Sequence, residues 1–220
     1  MERPGRRDGG LVVMHSSIIQ RFFDWLFIRF SRSTRFDGLW VGVFNGDHDK
    51  EILRRVSDAL QLIKTYDPYR YRRVLKEIGY LWVSLLPGAA AVFEIRLRRC
   101  VMDPPIVLSY SPERLASVIV HEATHGRLIR HNIGYPQELR RRVERVCMRQ
   151  ELAFAQKIPD GEALRPGIEH RLTLAPDFWT DEASKDRRRE GLFAAAHHAG
   201  MPEWLVEALL SFRKKIAGDH

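Results

Sequence analysis

The chain of 220 residues carries two cysteines, Cys100 and Cys147. That is too few for a disulfide framework, and a reducing, cytoplasmic setting is the expectation. Long apolar runs are also lacking. The most apolar stretch, residues 17–30, is shorter than a bilayer span and is interrupted by Arg21, Asp24 and Arg29, which excludes a transmembrane helix. Residues 1–10 are basic and glycine-rich, but Leu11-Val12-Val13-Met14 is too short for the apolar region of a secretory signal, so none is expected, and Met14 could serve as an alternative start. No internal repeat or low-complexity segment is visible. Acidic residues are outnumbered, 28 against 36 Lys and Arg, for a net charge of +8. A basic balance invites nucleic acid as a partner. The arginines, however, occur in small scattered groups such as 70–73, 96–99, 140–142 and 187–189, interleaved with apolar residues as on solvated helix or strand faces, and this favours a charged surface over a nucleic-acid interface.

An apolar fraction of 45% suffices for a core and is too low for a membrane bundle. The length suits one domain, or one domain with an appendage. Residues 1–47 form an N-terminal segment. Its run 17–30 reads as a helix or strand packing on the core, with peripheral membrane contact as the other use of such a stretch. Residues 31–49, with Gly38, Gly42 and Asn45-Gly46-Asp47, read as loop and turn. Residues 48–160 form the core. Ile52, Leu53, Val56, Ala59, Leu60 and Ile63 have a helical period, Asp67-Pro68 breaks it, and a shorter helix covers 68–78. Residues 80–86 and 89–97 read as strands of a hairpin around Pro87-Gly88, and Ile106-Val107-Leu108 as a third strand. Ser111, Pro112 and Glu113 then open a helix that ends near Asn132, and Pro136 opens the next, over 137–157. Residues 161–220 are a C-terminal helical extension, irregular over 162–180 and helical over 181–198 and 203–216.

The helix from Ser111 contains His121-Glu122-Ala123-Thr124-His125. Residues i and i+4 of an α-helix lie about 40° apart and about 6 Å along the axis, so both imidazoles leave one face at a separation that one metal ion can bridge. Glu122 sits roughly 60–100° round from them, where it can reach a water activated by the ion. Two neutral nitrogens holding Zn²⁺ and a carboxylate to take a proton are what metal-assisted hydrolysis needs. The flanks Val118, Ile119, Val120, Ala123, Thr124 and Gly126 are uncharged in a chain that is 29% charged, so the helix is expected to be buried.

The third ligand follows from the turn. A loop of four or five residues makes neighbouring helices antiparallel. Reflected across a loop centred near residue 134, His125 faces about position 143 and His121 about position 147. Glu144 falls in that window; Glu138 and Glu151 fall a turn or more outside it. Cys147 could also bind zinc, although a free cysteine on an apolar helix face more often belongs to a core.

The motif and its uncharged flanks resemble those of the zincin metallopeptidases, although Arg127 stands where that family prefers a hydrophobic residue. The position of Glu144, 19 residues after His125, is similar to the spacing of the gluzincins. Some families place the glutamate ahead of a Phe-Ala like Phe154-Ala155, which makes Glu151 the alternative ligand. His131 has the spacing of the metzincin third ligand, but Leu128 replaces the glycine that breaks that helix; on a continuous helix His131 lies about 15 Å along the axis from His121. The resemblance implies an α+β, zincin-like fold: a small antiparallel or mixed sheet, then an active-site helix, an antiparallel partner helix and C-terminal helices. It implies Zn²⁺ on His121, His125 and Glu144, with Glu122 as general base acting on a protein or peptide substrate. It also implies an oxyanion donor, for which Tyr110, His131, Tyr135 and His170 are candidates. A zincin-like domain that binds metal or a partner without hydrolysis, and a DNA-associated metalloprotease, are the other readings.

Overall fold

Short apolar strands bounded by turn residues alternate with longer stretches of helical period, and the alternation fixes the layers. The structure, a computed structural model, describes residues 29–44, 46 and 48–198. The apolar run 17–30, apart from its last two residues, and the expected helix 203–216 lie outside the described residues. The described part is α+β, with a five-stranded mixed sheet and seven α-helices.

Strands β1 (Arg32–Phe36) and β2 (Leu39–Val43) form an antiparallel hairpin, where loop and turn were expected. The signal was the pair Asp37-Gly38. Both residues have positive φ, 47° and 87°, as the tight two-residue turn matched to strand twist requires. Helices α1 (Asp49–Tyr66) and α2 (Pro68–Glu77) then cross over to β3 (Tyr80–Val83). Asp67 ends α1 and caps α2, its side chain accepting from the Arg70 N–H. β3 runs parallel to β2, so the sheet spans the domain boundary expected at residue 48.

The expected hairpin of 80–86 with 89–97 is not formed. β4 (Ala91–Glu94) pairs antiparallel with β5 (Arg99–Met102), and β5 inserts parallel beside β3, giving the order β1-β2-β3-β5-β4. Ile106-Val107-Leu108, expected to be a strand, lies in a short helix, α3 (Pro104–Ser109). Two prolines at its start supply preset φ values and cannot donate to a sheet ladder, so the apolar run continues as a helical turn.

Helix α4 (Pro112–Arg130) packs against α1, α2, β4 and the following helix, α5 (Gln137–Ala155). Its start is capped by Ser111, which accepts from the Arg114 N–H at 3.3 Å. Its end is a Schellman turn: Asn132 is left-handed at φ 61°, with Asn132 N–H to Ile129 O and Ile133 N–H to Leu128 O, both 2.9 Å. Leu115, Ala116, Ile119, Val120 and Ala123 join Ile52, Val56, Leu60, Ile63, Leu81 and Met102 in one core. The region 162–180, expected to be irregular, contains α6 (Arg165–Thr173) between two 3₁₀ turns; α7 (Asp181–His198) follows. No described helix is long and apolar enough to cross a membrane.

Candidate metal centre

Contacts between α4 and α5 run in opposite directions along the two helices: Ser117 meets Glu151, and His125 meets Glu144. The pairing is antiparallel because six residues join the helices and the Schellman turn reverses the chain. The buried stripe of α5 is Val143, Glu144, Cys147, Met148, Glu151, Phe154 and Ala155. Two carboxylates therefore stand on a core-facing stripe, at 8% and 2% exposure. Such placement is costly unless each carboxylate is partnered.

The partners are on α4. His121 Nε2 and His125 Nε2 face each other at 3.1 Å. Glu144 Oε2 lies 3.1 Å from His121 Nε2, and Glu144 Oε1 lies 3.4 Å from His125 Nε2. Tetrahedral bonds of about 2.0–2.1 Å to one zinc ion place neighbouring donors roughly 3.3 Å apart. The two nitrogens have about that spacing and the Glu144 carboxylate meets each of them at a similar distance, Oε2 facing His121 and Oε1 facing His125, so the residues fit the ion. Cys147 Sγ also belongs to the cluster: its sulfur and one nitrogen of each imidazole all lie within 4.8 Å of one another. Glu151 is on the other side of His121: its Oε1 stands 2.7 Å from Nδ1, where it accepts a hydrogen bond from a protonated Nδ1, while Oε2 accepts from Ser117 Oγ at 2.9 Å and from Arg171 at 2.7 Å. With Nδ1 protonated, His121 presents an Nε2 lone pair to the cluster, the carboxylate–histidine arrangement that orients metal-binding imidazoles.

Glu122 is 5% exposed, and its Oε2 has no hydrogen-bond partner within the protein. It lines the same cleft as His121, His125 and Glu144, so an ion or water there would satisfy it. Glu122, Glu144 and Glu151 crowd around the two imidazoles, and Arg140, Arg171, Arg187 and Arg188 also line the cleft.

The electrostatics follow from burial and these contacts. Burial pushes the His121 imidazole down, but the carboxylates of Glu144 and Glu151 outweigh it and hold it well above its usual value. Burial raises the Glu122 carboxyl, the nearby imidazoles opposing. Burial would raise Glu144 too, but hydrogen bonds with His121 and His125 hold it far below the carboxylate range. The Cys147 thiol is pushed far up by burial and then by Glu144.

The cleft has a volume of about 470 Å³ and is bounded by the segment 86–93, by α4 and α5, and by the segment 178–188. Of the four candidate oxyanion donors, Tyr135 lines it: its hydroxyl donates to Glu144 and its ring stands edge-on to His125 at 5.2 Å. Tyr110 packs against the core beside Arg114, and His170 is exposed on α6. His131 follows the last residue of α4 and lines a different pocket. Sequence reasoning missed Ser117, although it stands one turn before His121 on the same face. It also missed Arg171, which α6 brings from 20 residues beyond Glu151 without a local signal. No protein-family model matches this chain, and no curated protein or solved structure matches it either.

Proposed function

We propose that this chain is a zinc-dependent metallopeptidase of the zincin type, gluzincin-like in its ligand set, with zinc held by His121, His125 and Glu144. The observation that carries the reading is the triangle of two Nε2 atoms and a Glu144 carboxylate at 3.1–3.4 Å, next to a buried carboxylate with an unpartnered oxygen. Two histidines and a glutamate form a set of three protein ligands that leaves a fourth position open. A zinc ion held there supplies Lewis acidity for attack of water on a peptide carbonyl. Glu122 takes the proton from the attacking water and delivers it to the leaving amine. Glu151 fixes the His121 tautomer through Nδ1, and Ser117 and Arg171 hold Glu151 in place. Tyr135 lies where its hydroxyl, released from Glu144, can donate to an oxyanion. A mixed sheet whose edge strand β4 flanks the helix bearing both histidines suits a zincin-like architecture.

The test is Glu122→Gln, assayed on an unstructured protein substrate with and without a chelator. Activity falls by about 10²–10⁴ while zinc content stays at the wild-type level. Equal activity in wild type and variant refutes the hydrolytic role and leaves a non-catalytic metal-binding domain.

A further inference from the structure

Helix α4 has a second working face. Behind the histidine face, a pocket of about 400 Å³ opens between α2, α4 and α5. Its walls are mainly apolar, with Val74 on α2, Val120, Ala123 and Leu128 on α4, Val146 on α5 and Ile133 in the turn, and Thr124, His131 and Gln150 add polar edges. Three guanidinium groups, Arg70, Arg73 and Arg127, stand on it.

The three are unequally partnered. Arg70 is 9% exposed and bonds Asp67 and Gln150, yet its Nε is buried without a partner. Asp67 is shared with Lys157 at 3.1 Å, so it has little capacity left for another cation. Arg73 stacks on Tyr69, 4.0 Å from the ring, and has no carboxylate partner among the described residues. Arg127 has neither a carboxylate nor a ring partner among the described residues. Arg73 feels partial burial first and the like charge of Arg127 second, and both work against its protonated form. Half-buried like charges beside an apolar wall are unfavourable in the free protein and are relieved by an anion. Arginine forks suit planar or tetrahedral oxyanions, which they hold by paired hydrogen bonds.

We infer that this pocket binds a small organic anion with an apolar body, its carboxylate or phosphate head on Arg73 and Arg127 and its body against Val120, Val146 and Ile133. The volume suits a medium-length acyl chain or an aromatic acid, in keeping with pockets that are mainly apolar with a few placed charges. The site is separate from the metal cleft and does not depend on zinc binding or hydrolysis.

The experiment is calorimetric titration of the full-length protein with decanoate and decyl phosphate, below their aggregation concentrations. Decanol and inorganic phosphate serve as body-only and head-only controls. At least one of the two amphiphiles binds at one per chain, and both controls bind more weakly by tenfold or more. Arg127→Gln and Arg73→Gln, shown to be folded by circular dichroism, each weaken binding about tenfold, as expected for loss of a charged hydrogen bond. Val146→Phe, which fills the pocket and keeps every charge, weakens the amphiphile and leaves phosphate unchanged. The inference is overturned if neither amphiphile binds, if decanol or phosphate binds as tightly, or if the arginine variants bind like wild type.

Discussion

The donor triangle makes a quantitative prediction about three neighbouring side chains of α5. Glu144, Cys147 and Glu151 all lie within reach of the His121–His125 pair, but in different roles. Zinc held by four ligands contributes about 10–16 kcal/mol of binding free energy, or about 3 kcal/mol per ligand. Replacing Glu144 with Gln should therefore weaken zinc roughly 10²–10³-fold. Glu151 touches His121 on the nitrogen facing away from the cluster, and loss of such an orienting carboxylate weakens a metal site about 10–100-fold. Burial pushes the Cys147 thiol far up, which disfavours the thiolate; Cys147→Ser should leave affinity within a few-fold. The assay is competition for zinc against a chromophoric chelator at fixed pH, with zinc per chain from elemental mass spectrometry. Cobalt substitution adds a spectroscopic arm, since a thiolate ligand gives a charge-transfer band and a carboxylate does not. A Cys147→Ser loss as large as that of Glu144→Gln, together with that band, would move the third ligand to Cys147. Failure of the wild type to bind zinc at one per chain would sink the metal centre altogether.

Three further expectations test the frame around the site. Gly88 has φ +80°, and a Cβ there would stand 2.4 Å from Arg187 O of α7. Gly88→Ala combines about 1–2 kcal/mol of left-handed strain with about 1–3 kcal/mol of overpacking, and should free the segment 86–90 to limited proteolysis; an unchanged cleavage pattern and urea midpoint would count against this contact. Burial pushes the Asp67 carboxyl up, but hydrogen bonds from the Arg70 side chain and backbone and from Lys157 bring it below its usual value. A depressed carboxyl stabilises the fold above its unfolded pKa of about 3.9 and loses that contribution as pH falls through the folded value. Asp67→Asn, which keeps the helix cap, should thus lower stability by about 2–3 kcal/mol at neutral pH, with the gap to wild type closing below about pH 4; a constant gap across pH would refute the ionic origin. Glu77, 2% exposed, receives a paired hydrogen bond from Arg130 at 2.7 and 2.9 Å. Arg130→Gln should lower the urea midpoint by leaving the buried Glu77 carboxylate without its partner, and adding Glu77→Gln should recover part of the loss; purely additive losses would show that the pair does not act as one.

How legible each part was depended on how local its cause is. The helices α1, α2, α4 and α5 follow from 3.6-residue apolar periods and from punctuation next to the helix: Asp67-Pro68, Ser111-Pro112, Asn132 and Pro136. The sheet was harder, because strand partners are chosen across the chain. Nothing in residues 80–94 says that β5, which comes later, will insert between β3 and β4. Ile106-Val107-Leu108 shows the limit of short apolar runs, which fit a strand or a buried helical turn equally well; the two prolines before it decide. Asp37-Gly38 was a readable hairpin signal, outweighed by the other turn residues that surround it.

The same distinction separates Glu144 from Glu151. Helix geometry and a short antiparallel turn bring Glu144 opposite the histidines, and the structure puts it there. Glu151 is two turns farther along, and reflection across the turn moves it away from His125. A side chain of that length can still reach back to the far nitrogen of His121, because Ser117 and Arg171 fix its other oxygen. Glu151 itself was in view as a candidate beside the metal, but the partners that fix it were not: Ser117 on α4 and Arg171 on α6, a helix in a stretch expected to be irregular. One continuous helix then explains why the two pockets are distinct: His121 and His125 leave one face of α4, while Val120, Ala123 and Arg127 leave another. A single rigid element thus lines two clefts of different make-up: on one side Glu122, Glu144 and Glu151 stand around the imidazole pair with Arg140, Arg171, Arg187 and Arg188 on the rim, and on the other Arg70, Arg73 and Arg127 stand over apolar side chains with no carboxylate in the lining.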